Sequence, residues 1–457
     1  MIYPKIPLAQ SIIEIFRVKG IQHIIISPGS RNAPLTIGFT NNPYFTCYSI
    51  ADERCAAFFA LGMAQQLQKP VAVVCTSGSA LLNYYPAFAE AFYSQIPLLV
   101  LSADRPKSKI DIGDGQTIRQ SNVYENHSLF NANLDENASD KNDFLINEAI
   151  NTAILKSGPV HINAPFEEPL YETVDALSVD IKIVSSTFND VILDEPLSKY
   201  ANDWNQYKKK LILIGTNYPN TIDKAIVDRL ANDASVVVMT ETTSNLHHEN
   251  FITNIDTIIT PFTHDDFLDF QPDILITFGG MIVSKRIKSF LRKYQPQQHW
   301  HIDELRAYDT FGSLTKHFEV SPNVFFHSFF SLTESIESDY NSKTHQLQLL
   351  RAKKHREYLD KIPFSDLKVF ETVLQSIPEK TQLQLSNSSA IRYAQLFPIK
   401  NSVAVFCNRG TSGIDGSTST AIGAAVGRKI LTVLITGDIG FLYDSNALWN
   451  NYIPKNF

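Results

Sequence analysis

Three short polar segments near the amino terminus contain the residues best suited to chemistry. The first, residues 27–34 (SPGSRNAP), is a glycine-containing turn between an apolar run and a helical pattern. Ser30 and Arg31 stand side by side in it, and a guanidinium can hold a carboxylate through two parallel hydrogen bonds. The same turn could equally connect a strand to a helix and leave the arginine in solvent. The segment is therefore a candidate anion site with a purely structural alternative.

The second and third segments add a carboxylate and a small-residue turn. Asp52-Glu53-Arg54 opens an apolar helical pattern, where a carboxylate usually caps the helix or interacts with its dipole. Residues 76–80 (TSGSA) follow an apolar run and let another molecule approach the backbone closely, although a packing turn has the same composition. Open α/β sheets bind ligands at the carboxyl ends of their strands, so all three segments are candidates for a site.

A fourth candidate lies near the carboxyl end of the chain. Residues 436–440 (TGDIG) follow a β-branched run, and Gly437 would allow a close backbone approach. Asp438 offers a hard oxygen ligand for a Mg²⁺ ion that bridges a diphosphate. A lone Gly-Asp pair means little, but residues 408–416 (NRGTSGIDG) precede it.

Taken in order, these segments resemble the two cofactor-binding domains of thiamine-diphosphate-dependent enzymes. The resemblance implies that Glu53 bonds N1′ of the aminopyrimidine and assists loss of the C2 proton, a relay whose removal costs about 10² to 10⁴ in rate. It also implies thiamine diphosphate with Mg²⁺ or Mn²⁺ held through Asp438, and Ile414 bending the cofactor into a V shape. The implied cofactor-binding residues are Glu53, Thr76, Ser77, Gly78, Ile414, Gly437, Asp438 and Ile439.

The resemblance has one gap. In the family a second metal ligand, an asparagine, follows the Gly-Asp pair after roughly 30 residues, whereas this sequence ends at Phe457. We therefore expect that ligand and the last strands of the third domain beyond Phe457. We assign Asn450-Asn451 to a helix terminus.

Further motifs narrow the resemblance to the carboligases of menaquinone biosynthesis. These motifs are residues 102–106 (SADRP), 116–120 (QTIRQ), 284–286 (SKR), and Asn387-Ser388 with Arg392. That family implies decarboxylation of 2-oxoglutarate and 1,4-addition of the succinyl carbanion to isochorismate. Both substrates are dicarboxylates, and burying an unpaired carboxylate is expensive, so several fixed cations are required. The implied substrate-binding residues are Ser30, Arg31, Arg105, Gln116, Lys285, Ser388, Arg392 and Arg409, of which Lys285 and Arg392 could instead be ordinary surface cations.

Composition limits these interpretations. A chain of 457 residues suits two or three domains of about 150 residues each. Apolar residues at 44% and charged residues at 19% are globular values, and no apolar run reaches the roughly 18 residues of a membrane span. The absence of a signal-peptide pattern predicts a cytoplasmic address. Scattered cysteines argue against disulfides or zinc, and the net charge of −7 disfavours nucleic acid or an anionic membrane as partner.

Short β-branched runs alternate with helical patterns along the chain, which predicts the α/β class. Runs at 21–27, 71–75 and 97–103 are typical of buried parallel strands, each followed by an amphipathic helix. We predict three doubly wound parallel-sheet domains, with a linker between 165 and 196 and an exposed helical connector at 347–361. The predicted domains are a pyrimidine-binding domain at 1–185, a central domain at 190–345 and a truncated diphosphate-binding domain at 365–457.

The central block contains no glycine-rich dinucleotide fingerprint. We therefore predict no bound FAD and a scaffold role that contributes little beyond Lys285, with the block ending near Ser321. His247-His248 could suggest the paired histidines of decarboxylases, but their position mid-chain favours a solvated loop.

The resemblance implies that the pyrimidine half of one chain faces the diphosphate half of another, hence a homodimer or a dimer of dimers. Two alternatives remain open. One is an acetohydroxyacid-synthase-like carboligase that uses pyruvate and needs a less basic pocket. The other is a catalytically inert α/β protein.

Overall fold

The computed structural model describes residues 1–186 and 196–457. Its strands are β1 (Tyr3–Pro4), β2 (His23–Ile26), β3 (Thr46–Ser49), β4 (Val71–Cys75), β5 (Leu98–Asp104), β6 (Asn131–Asn133), β7 (Val160–Pro165), β8 (Thr173–Val174), β9 (Lys210–Ile214), β10 (Val236–Thr240), β11 (Ile274–Phe278), β12 (Gln298–Ile302), β13 (Lys316–Phe318), β14 (Gln382–Leu385), β15 (Ala404–Phe406) and β16 (Thr432–Ile435). Its α-helices are α1 (Pro7–Val18), α2 (Ala33–Thr40), α3 (Glu53–Leu67), α4 (Ala80–Asn83), α5 (Tyr85–Ser94), α6 (Asp140–Leu155), α7 (Ser198–Gln206), α8 (Lys224–Ala231), α9 (Ile255–Ile259), α10 (His264–Phe270), α11 (Lys285–Lys293), α12 (Pro322–Phe329), α13 (Tyr340–Leu359), α14 (Asp366–Ser376), α15 (Ser389–Ala394), α16 (Ser417–Gly427) and α17 (Asp438–Tyr443). Short 3₁₀ turns lie at Lys107–Lys109, Thr242–Ser244, Phe330–Leu332 and Ser445–Leu448.

The chain divides into two compact units. Unit 1 comprises Met1–Phe188 together with Gly410–Phe457, and unit 2 comprises Asn189–Arg409. The division into three domains with the bounds given above stays a prediction. Of the predicted linker, residues 187–195 lie outside the described residues; before them, β8 pairs antiparallel with β1.

Unit 1 contains a six-stranded sheet in the order β3-β2-β4-β5-β7-β6. All its neighbouring strands are parallel, and every residue of β4 and β5 is buried, because helices cover both faces of such a sheet. The connections run from β2 to β3 on one side and then return to β4 on the other. The strand order therefore reverses between β2 and β4, which is where open α/β sheets form a ligand crevice.

Helices α3 and α16 of unit 1 pack with unusually close backbones. A Cβ atom at Gly62 would lie 2.0 Å from the carbonyl oxygen of Thr420, and one at Gly423 would lie 2.0 Å from that of Phe59. Only glycine fits at these two contacts. The pairing fixes the amino end of α3, where Glu53 lies, against the carboxyl-terminal part of the same unit.

Unit 2 contains a five-stranded parallel sheet in the order β10-β9-β11-β12-β13. Its strands β9, β10 and β11 are wholly buried β-branched and leucine-rich runs, as predicted for a parallel sheet. The prediction that this block ends near Ser321 is wrong. Ser321 instead caps α12, whose Phe325, Phe326 and Phe329 complete the core under the sheet.

A second pair of parallel strands, β14 and β15, also belongs to unit 2. Asn245 bonds the edge of β15 as a neighbouring strand would: Val405 N donates to Asn245 Oδ1 at 2.8 Å, and Asn245 Nδ2 donates to Val405 O at 2.9 Å. The exposed helix predicted at 347–361 corresponds to the 20-residue α13, in which Leu349 is 72% exposed, while its role as a connector between domains stays a prediction.

The α/β class predicted from the sequence is confirmed by the parallel sheets of both units. Among the described residues no helix combines the length and the apolar character needed to span a bilayer. All four cysteines are free thiols. Burial raises the pKa of Cys75 and Cys55 well above the usual range of a thiol, so both behave as inert core residues.

Candidate active site

The two loops beside the reversal of strand order in unit 1 are joined to each other. The loop after β2 contains Gly29, where an added Cβ would lie 2.3 Å from Cβ of Thr76 in the loop after β4. Arg31 N donates to Thr76 Oγ1 at 3.3 Å, and Tyr84 donates to Ser27 Oγ at 2.9 Å. The first and third candidate segments therefore form one wall of the crevice.

Glu53 is the first residue of α3, but it does not cap that helix. Cys55 N donates to the Asp52 carboxylate at 3.0 Å, so the capping role belongs to Asp52, which also accepts from Asn446 at 2.8 Å. Burial, and after it the charge of Glu53, raises the pKa of Cys75 at the end of β4. The half-buried Glu53 carboxylate thus lies near the loop after β4 and is not needed for helix capping.

The loop after β4 has the features of a cradle for a polar ligand. Ser77 is 2% exposed, and within the described part of the chain its buried Oγ has no hydrogen-bond partner. Gly78 has φ of +91°, a conformation that side chains rarely adopt, and its N–H donates to Gln120 Oε1 at 2.8 Å. Since buried hydroxyls are almost always satisfied in folded proteins, the Ser77 hydroxyl marks a position where a ligand fits.

Sequence reasoning missed the buried amide network behind this loop. Gln120 Nε2 donates to Asn163 Oδ1 at 2.8 Å and to Ala103 O at 3.1 Å. Asn163 Nδ2 in turn donates to Asp104 Oδ2 at 2.8 Å, and burial raises the pKa of Asp104. The network ties together the carboxyl ends of β4, β5 and β7. Gln120 was visible in the sequence only as the last residue of QTIRQ, without a sign that it is buried.

Arg31 and Arg105 both lie at this edge of the sheet, but they differ in how many of their hydrogen-bond donors are already occupied. Arg31 is 4% exposed, and its two terminal nitrogens already donate to Phe166 O at 2.9 Å and to Glu168 Oε1 at 3.0 Å. Arg105 has a weaker ion pair, with Nη1 3.6 Å from Asp114 Oδ2, and its buried Nε has no partner among the described residues. Arg105 therefore has donor capacity left for an anion, whereas Arg31 would have to exchange partners.

The other two predicted anion-binding residues of unit 1 are exposed. Ser30 lies in the loop after β2. Gln116 has φ of +55°, and its backbone lies 3.3 Å from the position of a Cβ added at Gly78. Gln116 therefore adjoins the loop after β4, while Ser30 adjoins the loop after β2.

The glycine-rich segment at 408–416 is anchored in unit 1 by a buried glutamate. Glu90, 1% exposed, accepts from Gly410 N at 2.7 Å and from Thr411 N at 2.6 Å. Ile414 is half-buried, and Gly416 caps the amino end of α16 with φ of +71°. A Cβ at Gly416 would collide with the ring of Phe58 at 2.2 Å.

Gly437, Asp438 and Ile439 are exposed at the start of α17. An added Cβ at Gly437 would meet nothing within 4 Å, so the backbone there is open to another molecule. The expectation of a helix continuing to Asn450 is wrong, because α17 ends at Tyr443. Asp444 turns inward at that point and accepts from Ser419 N at 2.6 Å. Asn450 lies beyond a 3₁₀ turn and donates to Ala447 O at 2.8 Å.

Unit 2 carries the remaining predicted cations. Lys285 is exposed at the first position of α11, and Ser284 caps that helix through Ile287 N at 3.1 Å. Arg409 Nη1 donates to Asn387 Oδ1 at 2.6 Å, which places Arg409 beside Ser388. Ser388 is exposed with φ of +69°, and Arg392 is exposed in the last turn of α15.

Lys288 was not predicted, although it lies one turn after Lys285. Burial, and after it the charge of Arg409, lowers the pKa of Lys288. Glu241 opposes this shift while Arg292 and Lys285 add to it, so Lys288 lies among three other cations and one buried carboxylate. Such a cluster favours an anion. The signal in the sequence was the i, i+3 spacing of Lys285 and Lys288 on one helical face.

The His247-His248 pair lies in a loop, as predicted, but the loop is packed and not solvated. His248 Nδ1 accepts from Asn250 N at 3.0 Å, and its Nε2 lies 3.8 Å from Asp228 Oδ1. Burial lowers the pKa of His247. Across residues 1–186 and 196–457, no group of three or more His, Cys, Asp or Glu residues could hold a metal ion.

Comparisons with known proteins agree with this geometry. The family described as thiamine pyrophosphate enzyme, N-terminal TPP binding domain, matches residues 6–127, which include the crevice of unit 1. The family described as the middle domain of thiamine pyrophosphate matches residues 191–385. Fold, sheet-edge geometry and these matches define the class as thiamine-diphosphate-dependent enzymes.

Whole-chain relatives identify the family within that class. A protein from Flavobacterium psychrophilum is 72% identical over 457 residues, one from Flavobacterium johnsoniae is 68% identical over 459, and one from Christiangramia forsetii is 54% identical over 481. Each comparison covers 100% of this chain and 83% of the relative. All three are named 2-succinyl-5-enolpyruvyl-6-hydroxy-3-cyclohexene-1-carboxylate synthase. The chain belongs to this family of synthases.

Proposed function

We propose that the protein decarboxylates 2-oxoglutarate with thiamine diphosphate and adds the remaining succinyl unit to isochorismate. The products are 2-succinyl-5-enolpyruvyl-6-hydroxy-3-cyclohexene-1-carboxylate and CO₂, a step of menaquinone biosynthesis. The observation that carries the proposal is a half-buried Glu53, relieved of helix capping, beside a loop with an unsatisfied buried hydroxyl at the β2/β4 reversal. Relatives of up to 72% identity that bear the synthase name support it.

The residues of unit 1 fit the aminopyrimidine half of the cofactor. Glu53 would hold a proton against the ring nitrogen, and Thr76, Ser77 and Gly78 would supply further contacts to the cofactor. When bound, thiamine diphosphate would supply a thiazolium ring, whose positive charge delocalises the electron pair released by loss of CO₂. A carboxylate that moves a proton in this way contributes about 10² to 10⁴ in rate. In the proposed dimer, Ile414 and residues 437–439 would meet the diphosphate half of a cofactor whose aminopyrimidine half is bound by the other copy of the chain.

A divalent metal, Mg²⁺ or Mn²⁺, would take one oxygen from Asp438. This residue is exposed at the start of α17 and next to open space at Gly437. The described residues supply no His, Cys, Asp or Glu group of three around it, so the side chains of this segment alone do not complete a metal shell.

The carboxylates of the two acids would be bound by the cations of each unit. Arg105 has a buried donor left for an anion, and Ser30, Arg31 and Gln116 are the other residues of unit 1 that we assign to substrate carboxylates. In unit 2, Lys285, Ser388, Arg392 and Arg409 supply the second set. Desolvating a carboxylate is expensive unless it meets a cation or several donors, which explains basic clusters in a protein of net charge −7.

We propose a homodimer or a dimer of dimers, a cytoplasmic location, and three domains at 1–185, 190–345 and 365–457. Family membership supports these assignments.

The test is turnover by the full chain with thiamine diphosphate, Mg²⁺, 2-oxoglutarate and isochorismate. We expect isochorismate to be consumed and a product with the mass of the synthase product to appear. Mass spectrometry measures both changes. Replacing 2-oxoglutarate with pyruvate should abolish most of the signal. Faster turnover with pyruvate would favour an acetohydroxyacid-synthase-like carboligase. No calorimetric heat with millimolar thiamine diphosphate and Mg²⁺ would favour an inert protein.

A further inference from the structure

The turn after β10 in unit 2 contains a buried glutamate with specific partners. Glu241 is 5% exposed, and its two carboxylate oxygens accept from Val283 N at 2.6 Å and from Ser284 N at 2.7 Å. Ser284 caps α11, and Lys285 is the first residue of that helix. Glu241 therefore holds the backbone from which Lys285 projects.

The other end of the same turn holds a different segment. Asn245 bonds both the N–H and the carbonyl of Val405, at 2.8 and 2.9 Å, and its Nδ2 also donates to Asn217 O at 2.8 Å. Val405 lies in the middle of β15, four residues before Arg409. The five residues 241–245 therefore contact both the backbone that precedes Lys285 and the strand that precedes Arg409.

The charges around Glu241 are mostly positive. Burial raises the pKa of Glu241 to about 7, while its two backbone hydrogen bonds and the charges of Arg409 and Lys288 oppose that rise. Asp256 is the acidic neighbour on α9, where it accepts from Ser284 Oγ. Lys285, Arg286 and Lys288 all lie in the first turn of α11, at the helix end where the dipole disfavours cations. A carboxylate below this end stabilises the arrangement.

We propose that Glu241, together with Asn245, is a positioning residue. It holds Lys285 and Arg409 in the positions in which they bind the carboxylates of the acid substrates. This proposal rests on the proposed function, since it takes Lys285 and Arg409 as substrate-binding residues. It assigns to the central part of the chain a role in substrate recognition beyond that of a scaffold.

The main test compares Glu241→Gln with wild type. The amide keeps one acceptor but sets an NH₂ group against a backbone N–H, so we expect the KM for at least one acid to rise about tenfold, with kcat changed less than about threefold. In wild type the KM for that acid should rise as pH falls through about 7, because a protonated Glu241 loses an acceptor and its charge. In Glu241→Gln this pH dependence should be absent. Glu249→Gln, an exposed glutamate after the same turn, is the matched control and should match wild type.

A second measurement is independent of turnover. Hydrogen–deuterium exchange in Glu241→Gln should accelerate at 283–287, and in Asn245→Asp at 403–409, relative to Glu249→Gln. Unchanged exchange in these segments, or an unchanged KM for both acids in an active Glu241→Gln, would overturn the proposal. If wild type shows no turnover, the proposed function fails and the positioning of substrate carboxylates fails with it, whereas an active wild type with an unaffected variant refutes only the role of Glu241. If Glu241→Gln does not fold, Asn245→Asp carries the same KM test.

Discussion

The six-stranded sheet of unit 1 and the five-stranded sheet of unit 2 both reverse their strand order, but the loops at the two reversals differ. In unit 1 the order reverses between β2 and β4, and the loops there leave the buried Ser77 hydroxyl without a partner within the described residues. In unit 2 the order reverses between β9 and β11, and the loops there close on each other. Gly280 N donates to Thr216 O at 2.7 Å, and a Cβ at Gly215 would lie 1.9 Å from Gly280 O.

This difference shows that a reversal of strand order leaves space for a ligand, but that the loop residues decide whether a ligand can bind there. Among the described residues, unit 1 leaves the Ser77 hydroxyl unsatisfied at its crevice, whereas in unit 2 the two loops close on each other through a backbone hydrogen bond, and the unsatisfied atom there is Nδ2 of Asn217. The carboxylate that follows β10 in unit 2, Glu241, has both oxygens occupied by backbone N–H groups. Ligand chemistry therefore depends on loop residues and not on the shared architecture.

The strongest test of the comparison is Glu53→Gln. We expect cofactor binding to persist while exchange of the cofactor C2 proton slows at least about tenfold and kcat falls about 10² to 10⁴, because the amide cannot relay a proton. NMR-detected C2 exchange and calorimetry measure the two effects. Glu136→Gln, at an exposed glutamate of unit 1, is the control. Unchanged exchange would remove Glu53 from the mechanism.

The basic cluster of unit 2 is tested by Arg409→Ala. Loss of a charged hydrogen-bond donor should raise the KM for one of the acids about 10- to 100-fold. Steady-state kinetics with each acid varied in turn measures this, and Arg119→Ala, whose side chain is 83% exposed, should be neutral. If neither KM moves, Arg409 has only a structural role through Asn387.

Paired glycine substitutions sharpen the contrast between the two reversals. Gly29→Ala and Gly215→Ala should each destabilise the fold by about 1 to 3 kcal/mol, since both overpack a tight loop contact. Only Gly29→Ala should also weaken the binding of thiamine diphosphate. Denaturant unfolding and calorimetry separate the effects, with Gly115→Ala, where an added Cβ meets nothing within 4 Å, as the control. Equal loss of cofactor affinity in Gly29→Ala and Gly215→Ala would contradict the assignment of the crevice to unit 1.

The smallest expected effects are those of substituting two serines, one at each reversal of strand order. Ser77→Ala removes a buried hydroxyl without a partner among the described residues, so the apo protein should be as stable as wild type or up to about 1 kcal/mol more stable. Its Kd for thiamine diphosphate should nevertheless rise about tenfold.

The matched change in unit 2 is Ser244→Ala. Its hydroxyl donates to Ile214 O at 2.7 Å and accepts from Glu241 N at 2.9 Å, so stability should fall by about 1 to 2 kcal/mol with cofactor affinity unchanged. A stability loss in Ser77→Ala as large as that in Ser244→Ala would show that the Ser77 hydroxyl is satisfied in solution.

Local patterns predicted the strands well and the ends of some elements poorly. The run at 71–75 is β4 to the residue, because a buried β-branched stretch bounded by turn residues has few alternatives. The helix after Asp438 ended early because Asp444 is drawn inward by Ser419, 25 residues away. The sequence also left open whether Asp52 or Glu53 caps α3, since either carboxylate could do so.

By itself the sequence determined the α/β class, the segments at the strand ends and, through resemblance, the family. These follow from short-range periodicity and from residue types that stand together in the chain. Only the tertiary structure decided that Gln120 supports Gly78 and that Glu241 supports the helix of Lys285. Both contacts span 42 positions of sequence, and a buried amide or carboxylate acquires its role from the backbone groups that folding brings to it.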